Sequence, residues 1–251
     1  MLAAIDRFAY PMRPFSRSSG MLEVHLLTLF PEAVQPYLDA SILGRAGRAD
    51  LLRVHVHDFR GYTTDKHSSV DDRPFGGGPG MVLRCGPIFS AIESVEKEFG
   101  SCRKILLSPD GQPFRQSEAQ DLAQEERLLL LCGRYEGFDE RIRLGFDWTE
   151  YSVGDFVLAG GELPALCVVE AAARLIPGVL GHSESAVHES FTDPNLLDHP
   201  HYTRPEVFRE WPTPPVLLSG NHQAIAAWRH QQAIERTQER RPDLLPPTDN
   251  D

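Results

Sequence analysis

At 251 residues the chain is long enough to bury a full hydrophobic core, in one large domain with or without a smaller one. Its formal net charge of -11 argues against a protein that binds nucleic acid through bulk positive charge, although screening still permits local contacts. No apolar run approaches the roughly 18 residues that cross a bilayer, so we expect a soluble protein with no membrane partner.

Residues 1–20 contain arginines and serines but no continuous apolar segment and no convincing cleavage site. They therefore do not resemble a secretory signal. We expect them to form a disordered extension ahead of a second possible start, Met21.

Apolar periodicity predicts alternating strands and helices between residues 22 and 176. Strands are predicted at 22–29, 51–57, 104–108 and 127–132. The last two are almost wholly apolar, which is typical of the buried centre of a parallel sheet. Helices are predicted after the glycine loop as far as the C-cap candidate Gly100, at 116–126, and at 163–176. This alternation predicts an α/β fold with a mainly parallel sheet.

The pattern changes after residue 180. Residues 181–190 show little apolar periodicity, and composition favours a linker between domains and a surface loop within one domain equally. A helix is predicted at 221–239, with Asn221 as its N-cap. The arginines gathered at residues 229–241 are explained most simply as a solvated face of this helix.

The four cysteines are widely separated and form no CxxC pair. This pattern is typical of buried thiols in a reducing cytoplasm and argues against structural zinc, so we expect a cytoplasmic protein. The positions are Cys85, Cys102, Cys132 and Cys167.

The stretch "DDRPFGGGPGM" at 71–81 is rich in glycine, but it matches neither nucleotide-binding motif. A Walker loop needs Lys and then Ser or Thr after its last glycine, whereas Met81 and Val82 follow Gly80. A dinucleotide fingerprint must open a helix, and Pro79 stands where that helix would begin. Glycine content alone therefore favours a tight bend, or else close approach by a flat ligand.

Two more glycine-bearing stretches follow or precede predicted elements, at 132–141 and 152–165. Ligands of open α/β sheets bind beyond the carboxyl ends of the strands, where small residues let the backbone reach the ligand. Backbone groups at Gly133, Val153, Gly154 and Leu158 could therefore read an adenine edge, with Phe156 and Leu158 covering its faces. Each glycine alone is better explained by a turn, but three such loops favour a ligand site.

Six stretches between Met21 and about residue 245 carry a resemblance when taken together. In order, they are "DDRPFGGGPGM", "SPDGQPF", "LLCGRYEGFDERI", "SVGDFVLAGGELPA", "RLIPGVLG" and "LLDHPHYTRPEVF". They resemble one enzyme family of the SPOUT class, the bacterial tRNA (guanine-N1)-methyltransferases that modify guanosine 37 of tRNA. The resemblance implies a SPOUT-type α/β fold with a mainly parallel sheet, a deep C-terminal trefoil knot that binds S-adenosylmethionine, and a small helical C-terminal domain. It also implies an obligate homodimer with active sites at the subunit interface.

The resemblance divides the chain into a SPOUT methyltransferase domain at 21–180, an interdomain linker at 181–188 and a C-terminal tRNA-binding domain at 189–251. The substrate-binding residues that it implies are Asp71, Gly80, Asp198 and Arg204. The cofactor-binding residues that it implies are Leu107, Gly133, Tyr135, Glu136, Gly137, Val153, Gly154, Asp155, Phe156, Val157, Leu158, Gly160, Gly161 and Pro164.

The chemistry of such a reaction needs two groups on the protein. Guanine N1 carries a proton at neutral pH, so a general base must remove it, and a cation must stabilise the charge that develops on O6. The resemblance aligns these roles with Glu189 and Arg174, where most of the family has aspartate as the base. Glutamate is longer by one carbon–carbon bond, roughly 1.5 Å. Glu184 and Asp198 remain alternative bases, and without the resemblance Arg174 is a helix-end cation and Glu189 a solvated acid.

The segment "HPHYTRP" at 199–205 places two histidines at i,i+2, a spacing that suggests a metal. We find no carboxylate or cysteine at a confirmed ligand spacing, so a turn that contacts RNA or the partner subunit is the better interpretation, and we expect no metal ligands on the chain. The family resemblance also allows a magnesium ion to assist the reaction. Candidate phosphate contacts are Arg204, Arg209, Arg229 and Arg236.

Two other functions fit the same residues. One is a related SPOUT enzyme that acts on another RNA position. The other is a non-catalytic module that binds RNA or the cofactor, which the glutamate at position 189 suggests.

Overall fold

The computed structural model describes residues 20–64, 66–181 and 189–246. These residues divide into two compact units, one within 20–181 and the other within 189–246. Apart from Gly20 and Gly181, the predicted extension at 1–20 and the predicted linker at 181–188 lie outside the described residues.

The larger unit contains seven strands, β1 Leu22–Thr28, β2 Leu52–Asp58, β3 Asp71–Asp72, β4 Val82–Leu83, β5 Arg103–Pro113, β6 Arg127–Leu131 and β7 Trp148–Ser152. Its helices are α1 Pro31–Leu38, α2 Ser41–Arg48, α3 Cys85–Phe99, α4 Gln116–Leu122, α5 Glu140–Gly145 and α6 Glu162–Ala173. Five strands form one sheet in the order β2-β1-β6-β5-β7, and every pairing in it is parallel. The predicted α/β fold with a mainly parallel sheet is confirmed.

Strand β6 lies at the centre of this sheet, and its leucines Leu128–Leu131 have no exposed surface. A central parallel strand is covered on both faces by helices, which explains why its sequence is apolar at every position. On the neighbouring strand β1, His25 and Thr28 are polar and yet fully buried. Burial lowers the pKa of His25 to about 4, so its imidazole is neutral at neutral pH.

The predicted helix after the glycine loop is present as α3, and Gly100 ends it with a φ of +95°. Helix α6 ends at Ala173, three residues before the predicted end, because residues 175, 176 and 179 continue as hydrogen-bonded turns. The periodicity analysis missed α1 and α2. Pro36 lies inside α1 and two glycines lie inside α2, and both residue types argue against a helix in sequence.

The glycine loop is a bend, as its composition indicates. Strands β3 and β4 pair in antiparallel fashion on either side of it. Gly76, Gly77, Gly78 and Gly80 all have φ between +79° and +123°, a region that L-residues with side chains rarely adopt. The tight return of the chain therefore depends on these glycines.

The four cysteines are free thiols. Cys102 and Cys132 are buried, as expected, and burial raises the pKa of the Cys132 thiol well above its usual range. The expectation was wrong for Cys167, which is exposed on α6 because that helix turns one face away from the sheet. Among the described residues, no helix combines the length and apolar character needed to cross a membrane.

The smaller unit contains the strands β8 Val207–Phe208 and β9 Trp211–Pro212, which pair in antiparallel fashion, and the helices α7 Pro215–Leu218 and α8 His222–Arg240. The side chain of Asn221 accepts a hydrogen bond from the Ala224 amide at 3.1 Å, which confirms the predicted N-cap of α8. Thr237 is fully buried on α8, and its hydroxyl oxygen accepts a hydrogen bond from the Leu197 amide at 2.9 Å. This contact fixes the segment around Leu197 to the helix.

We expect Gly111→Ala to destabilise the larger unit by about 1–3 kcal/mol, because a β-carbon at this position would lie 2.5–2.7 Å from the backbone of Glu150 and Tyr151 on β7. Gly86→Ala is the matched control, since a β-carbon there meets no atom within 4 Å and alanine favours the helix. Urea denaturation of both variants checks this. Equal stability of Gly111→Ala and wild type would contradict the close approach of β5 and β7.

Candidate functional site

Residues 107–110 of β5 and the loops that follow β6 and β7 line a cleft of about 380 Å³ in the larger unit. The three strands are neighbours in the sheet, in the order β6-β5-β7, and run parallel. Their carboxyl ends therefore lie at one edge, where ligands of open α/β sheets bind. The cleft has the size of a small-molecule site.

The loop after β6 approaches the cleft with its backbone. A β-carbon on Gly133 would lie 2.8 Å from the ring of Phe138, so only glycine fits there. Tyr135 has a φ of +60° and Gly137 a φ of +115°, which turn the chain sharply at the cleft. Residues other than glycine rarely adopt a positive φ, and those that do cluster at functional sites. Among the described residues that line this cleft, Tyr135 is the one residue other than glycine with a positive φ.

The loop after β7 supplies the apolar part of the lining. Ser152 accepts a hydrogen bond from the Gly154 amide at 3.3 Å and donates one to the Gly154 carbonyl at 3.1 Å, which fixes the start of the loop. Gly154 then has a φ of +150°. Phe156 and Leu158 follow and line the cleft with exposed apolar side chains.

A buried ion pair joins these two loops. The carboxylate of Glu162, at the start of α6, has 3% of its surface exposed and lies 2.9 Å from Arg134 of the β6 loop. Glu162 Oε1 accepts hydrogen bonds from Thr28 Oγ1 at 2.7 Å and from Arg134 Nε at 3.2 Å. Glu162 Oε2 accepts no hydrogen bond from a described residue, and the Arg134 guanidinium neutralises it.

Arg134 makes further contacts that fix the cleft. It donates a hydrogen bond to the carbonyl of Ala159 at 3.3 Å, and its guanidinium lies 4.3 Å from the centre of the Phe30 ring. The backbones of the two loops also meet, because the Gly161 amide donates to the Gly133 carbonyl at 2.9 Å. A β-carbon on Gly161 would lie 2.8 Å from the amide nitrogen of Gly133, so the loops touch backbone to backbone.

A second arginine, Arg143 on α5, connects residues 108 and 110 of β5 to β7. Its guanidinium lies 3.1 Å from Glu150 and 3.4 Å from Asp110, and it donates a hydrogen bond to Ser108 at 3.2 Å. Arg143, Ser108 and Asp110 all line the cleft. They give one side of it a polar, charged wall.

The structure brings thirteen of the fourteen sequence-predicted cofactor residues into the wall of this one cleft; Asp155 is exposed in the β7 loop and does not line it. Sequence reasoning missed nine lining residues, although the quoted stretch "SPDGQPF" contains three of them. The nine are Ser108, Pro109, Asp110, Arg134, Phe138, Arg143, Tyr151, Ser152 and Ala159. Arg143 gave no sequence signal, because only the packing of α5 brings it to the cleft.

The glycine loop adjoins the β6 loop. The Glu136 amide donates to the Met81 carbonyl at 3.0 Å, and the Leu83 amide donates to the Gly137 carbonyl at 2.9 Å. A β-carbon on Gly80 would lie 2.3 Å from the Glu136 carboxylate. Asp71 pairs with Leu83 in the β3–β4 hairpin. Gly80 and Asp71 therefore lie beside the cleft, and neither lines it.

The two predicted catalytic residues belong to different units. Arg174 follows α6 as its half-buried C-cap, and its amide donates to the Glu170 carbonyl at 3.1 Å. Glu189 is half-buried at the beginning of the described part of the smaller unit. Of the two alternative bases, Asp198 is described in the smaller unit and Glu184 lies outside the described residues.

The smaller unit has a cleft of its own, of about 540 Å³, whose lining includes His199, His201, Arg204 and Arg229. Sequence spacing identified no carboxylate ligand for these histidines, whereas the structure brings one close to both. Asp198 lies 2.6 Å from His199 Nδ1 and 2.9 Å from His201 Nε2, because the turn folds back on itself.

Burial raises the pKa of the Asp198 carboxyl, but hydrogen bonds from both histidines and from the His199 amide outweigh burial and hold the pKa below its usual value. Asp198 is thus a partner of the two histidines at neutral pH.

The whole chain resembles one enzyme family. A family model described as tRNA (Guanine-1)-methyltransferase TrmD matches residues 22–247. The tRNA (guanine-N(1)-)-methyltransferase of Dehalococcoides mccartyi is 51% identical over 225 residues, which cover 89% of this chain and 90% of that protein. Proteins of the same name from Moorella thermoacetica and Brevibacillus brevis are 50% and 49% identical, each over 89% of this chain and over 90% and 91% of their own lengths.

We expect Glu162→Gln to lower the free energy of unfolding of the larger unit by about 3 kcal/mol, because it leaves the Arg134 charge in a largely buried position without its counter-ion. Glu140→Gln is the matched control. Glu140 is an exposed i,i+3 partner of Arg143, and its loss should change stability by no more than about 0.5 kcal/mol. Urea denaturation followed by circular dichroism measures both. If the two variants were equally stable, the ion pair would not hold the loops together.

Proposed function

Because this chain belongs to the tRNA (guanine-1)-methyltransferase family, we propose that it transfers a methyl group from S-adenosylmethionine to N1 of guanosine 37 in tRNA, next to the anticodon. The observation that carries the proposal is the single cleft at the carboxyl ends of β5, β6 and β7. It gathers nearly all the residues that the family resemblance assigns to the cofactor, and it does so within a chain about half identical to named enzymes of this activity.

The cleft fits S-adenosylmethionine. Apolar side chains of Phe156 and Leu158 offer faces for an adenine ring, and the tightly turned backbones of the β6 and β7 loops offer peptide groups to its edge. The carboxylate oxygens of Glu136 and Asp110 accept hydrogen bonds, and they therefore suit the amino group and the ribose of S-adenosylmethionine. When bound, the cofactor supplies a methyl group that its positively charged sulfur already activates.

We assign the larger unit to the SPOUT class and place its trefoil knot in the β6 and β7 loops. Support comes from the backbone contact of Gly161 with Cys132 and Gly133, which leaves no room for a side chain, and from the bridge between Arg134 and Gly160. Two loops whose backbones touch in this way are consistent with a knot, in which one segment of the chain passes through a loop of another.

Glu189 is the general base in this proposal and Arg174 the cation. Glu189 accepts the proton of guanine N1, which leaves on N1 the lone pair that the methyl group would bond to. The methyl–sulfur bond of the cofactor would break, and its sulfur would leave as a neutral thioether. The Arg174 guanidinium donates hydrogen bonds to O6 and stabilises the negative charge that forms there. The rest of the protein positions the guanine ring so that N1 is in line with the methyl group.

We further propose that the active site forms between two subunits of a homodimer. Helices α1 and α6 present an apolar exposed surface that suits such an interface: Leu163 is 63% and Tyr37 49% exposed, and Cys167 lies between them. Leu163, Cys167 and Glu170 share one face of α6, and the Tyr37 hydroxyl donates a hydrogen bond to Glu170.

The tRNA would bind to the C-terminal residues 189–251 and to the neighbourhood of Asp71 and Gly80. Arg204 and Arg229 line the cleft of the smaller unit, where phosphates of an RNA could reach them. A few local cations suffice for this, so the acidic total charge is no obstacle. A substrate of this kind places the enzyme in the cytoplasm.

We keep a magnesium ion in this proposal as an assistant, as the family resemblance implies. Among the described residues, no group of three potential metal ligands lies at the larger cleft, but Mg²⁺ binds with few protein ligands and several waters. The proposed roles of Glu189 and Arg174 do not depend on the ion.

Purified protein with labelled S-adenosylmethionine should methylate a tRNA transcript that carries guanosine at position 37, and nucleoside analysis should place the label on N1. A transcript with adenosine at position 37 is the control, and it should accept almost no label. Equal labelling of both transcripts would indicate an enzyme for another RNA position. Labelling of neither, with cofactor binding intact, would indicate a non-catalytic module.

We expect Glu189→Gln to lower kcat by about 10²–10⁴-fold, because the amide cannot take the N1 proton, and to leave the affinity for S-adenosylmethionine unchanged. Glu189→Asp keeps the carboxylate and should retain more activity. Glu210→Gln, an exposed acid of the same unit, is the control and should behave as wild type. A wild-type rate for Glu189→Gln would remove this residue from the mechanism.

A heterodimer of one Arg174→Ala subunit and one Glu189→Gln subunit tests the shared active site. Two affinity tags and tandem purification isolate it, and each homodimeric variant serves as its own control. If Arg174 and Glu189 act across the interface, one of the two sites is intact and about half the wild-type activity should return. Absence of activity in a confirmed heterodimer would place both residues in the same subunit.

A further inference from the structure

Three histidines and a glutamate lie together on one face of the sheet, away from the cleft. In the parallel pairing of β1 with β2, His25 lies opposite His55, and Leu27 lies opposite His57. Register partners share a face, and alternate residues of a strand return to it, so Glu23 also lies on this face. None of the four side chains lines either cleft.

Short contacts join these side chains in pairs. His25 Nδ1 lies 3.1 Å from His57 Nε2, and His55 Nε2 lies 3.1 Å from Glu23 Oε1. One ligand atom from each of Glu23, His25 and His55 can be chosen so that all three lie within 4.8 Å of one another. Strand pairing alone therefore brings two imidazole rings, stacked with their centres 4.8 Å apart, close to one carboxylate.

The decisive feature is the other nitrogen of His25. The residue has no exposed surface, and its Nε2 has no hydrogen-bond partner among the described residues. A buried polar atom without a partner is costly and calls for a ligand. If His25 donates its Nδ1 proton to His57, then Nε2 carries a bare lone pair. Metal-binding histidines have this arrangement, with the second nitrogen held by an acceptor outside the metal's own ligands.

We propose that Glu23, His25 and His55 bind a divalent transition-metal ion of the Zn²⁺ class. Two imidazole nitrogens and a carboxylate oxygen are a ligand set that such ions prefer. His57 orients His25, and Arg127 holds the second oxygen of Glu23 at 3.0 Å, which leaves Oε1 directed towards His55. The ion would tie the edge strand β2 to β1 and has no part in methyl transfer.

The other cluster of potential ligands, Asp198 with His199 and His201, is less suited. No buried atom of that cluster lacks a partner among the described residues. It therefore serves as the internal comparison in the test.

The test is a Co²⁺ titration of the full-length protein after chelator treatment, read by visible absorption and by competition with Zn²⁺. We expect one equivalent of Co²⁺ to give d–d bands that Zn²⁺ removes. His55→Gln and Glu23→Gln should abolish the bands. His57→Gln should weaken affinity about 10–100-fold, as expected when a group that orients a ligand is lost. His230→Gln, an exposed histidine on α8, should change nothing.

Two results would overturn the proposal. One is wild-type protein without Co²⁺ bands at millimolar metal. The other is a set of bands that His201→Gln removes and His55→Gln leaves intact, which would assign the ion to the Asp198 cluster. Circular dichroism and S-adenosylmethionine binding establish that His55→Gln and Glu23→Gln are folded. If either variant is unfolded, His57→Gln still decides, because its 10–100-fold loss of affinity is expected only for a site that includes His25.

Discussion

The buried carboxylate of Glu162 constrains the structure around it more than any other group. A charge with so little exposed surface needs a counter-ion and hydrogen bonds, and Arg134 and Thr28 supply them from two different parts of the chain. These contacts join the end of β1, the β6 loop and the start of α6. The β6 and β7 loops are therefore held with their backbones in contact by groups of the chain itself, which preorganises the cleft between them. Preorganisation of this kind lowers the cost of binding.

The distribution of charges along this chain is consistent with an acidic enzyme that acts on tRNA. The cleft of the larger unit contains arginines that are already committed to carboxylates, as Arg143 is to Glu150. In the smaller unit, Arg204 and Arg229 line an open cleft. Screening confines the effect of the net charge to short distances, so a few arginines at the contact decide binding. In the proposed reaction, cofactor binding would draw on the charges of the larger cleft and RNA recognition on those of the smaller unit.

The histidine cluster on β1 and β2 shows how strand pairing creates a candidate site that no sequence motif indicates. His25 and His55 are thirty residues apart, and each belongs to a strand that the sequence predicts without any ligand-binding motif. Register places them side by side and leaves one buried nitrogen without a partner. The cluster lies away from the cleft, so the proposed metal would affect stability and leave the chemistry of methyl transfer unchanged.

The sequence by itself determined the α/β class, the apolar central strands, the caps at Gly100 and Asn221, and the family, because short-range periodicity, cap chemistry and ordered motifs are local properties. Together with the family resemblance, it also indicated thirteen of the twenty-two residues that line the cleft. Only the tertiary structure decided that Arg143 and Asp110 line the cleft, that Asp155 does not, and that Asp198 meets two histidines. Such contacts depend on which distant segments pack together. Strand register and the pairing of buried charges fix that packing. Both depend on residues that are far apart in the sequence, so a local sequence pattern does not reveal them.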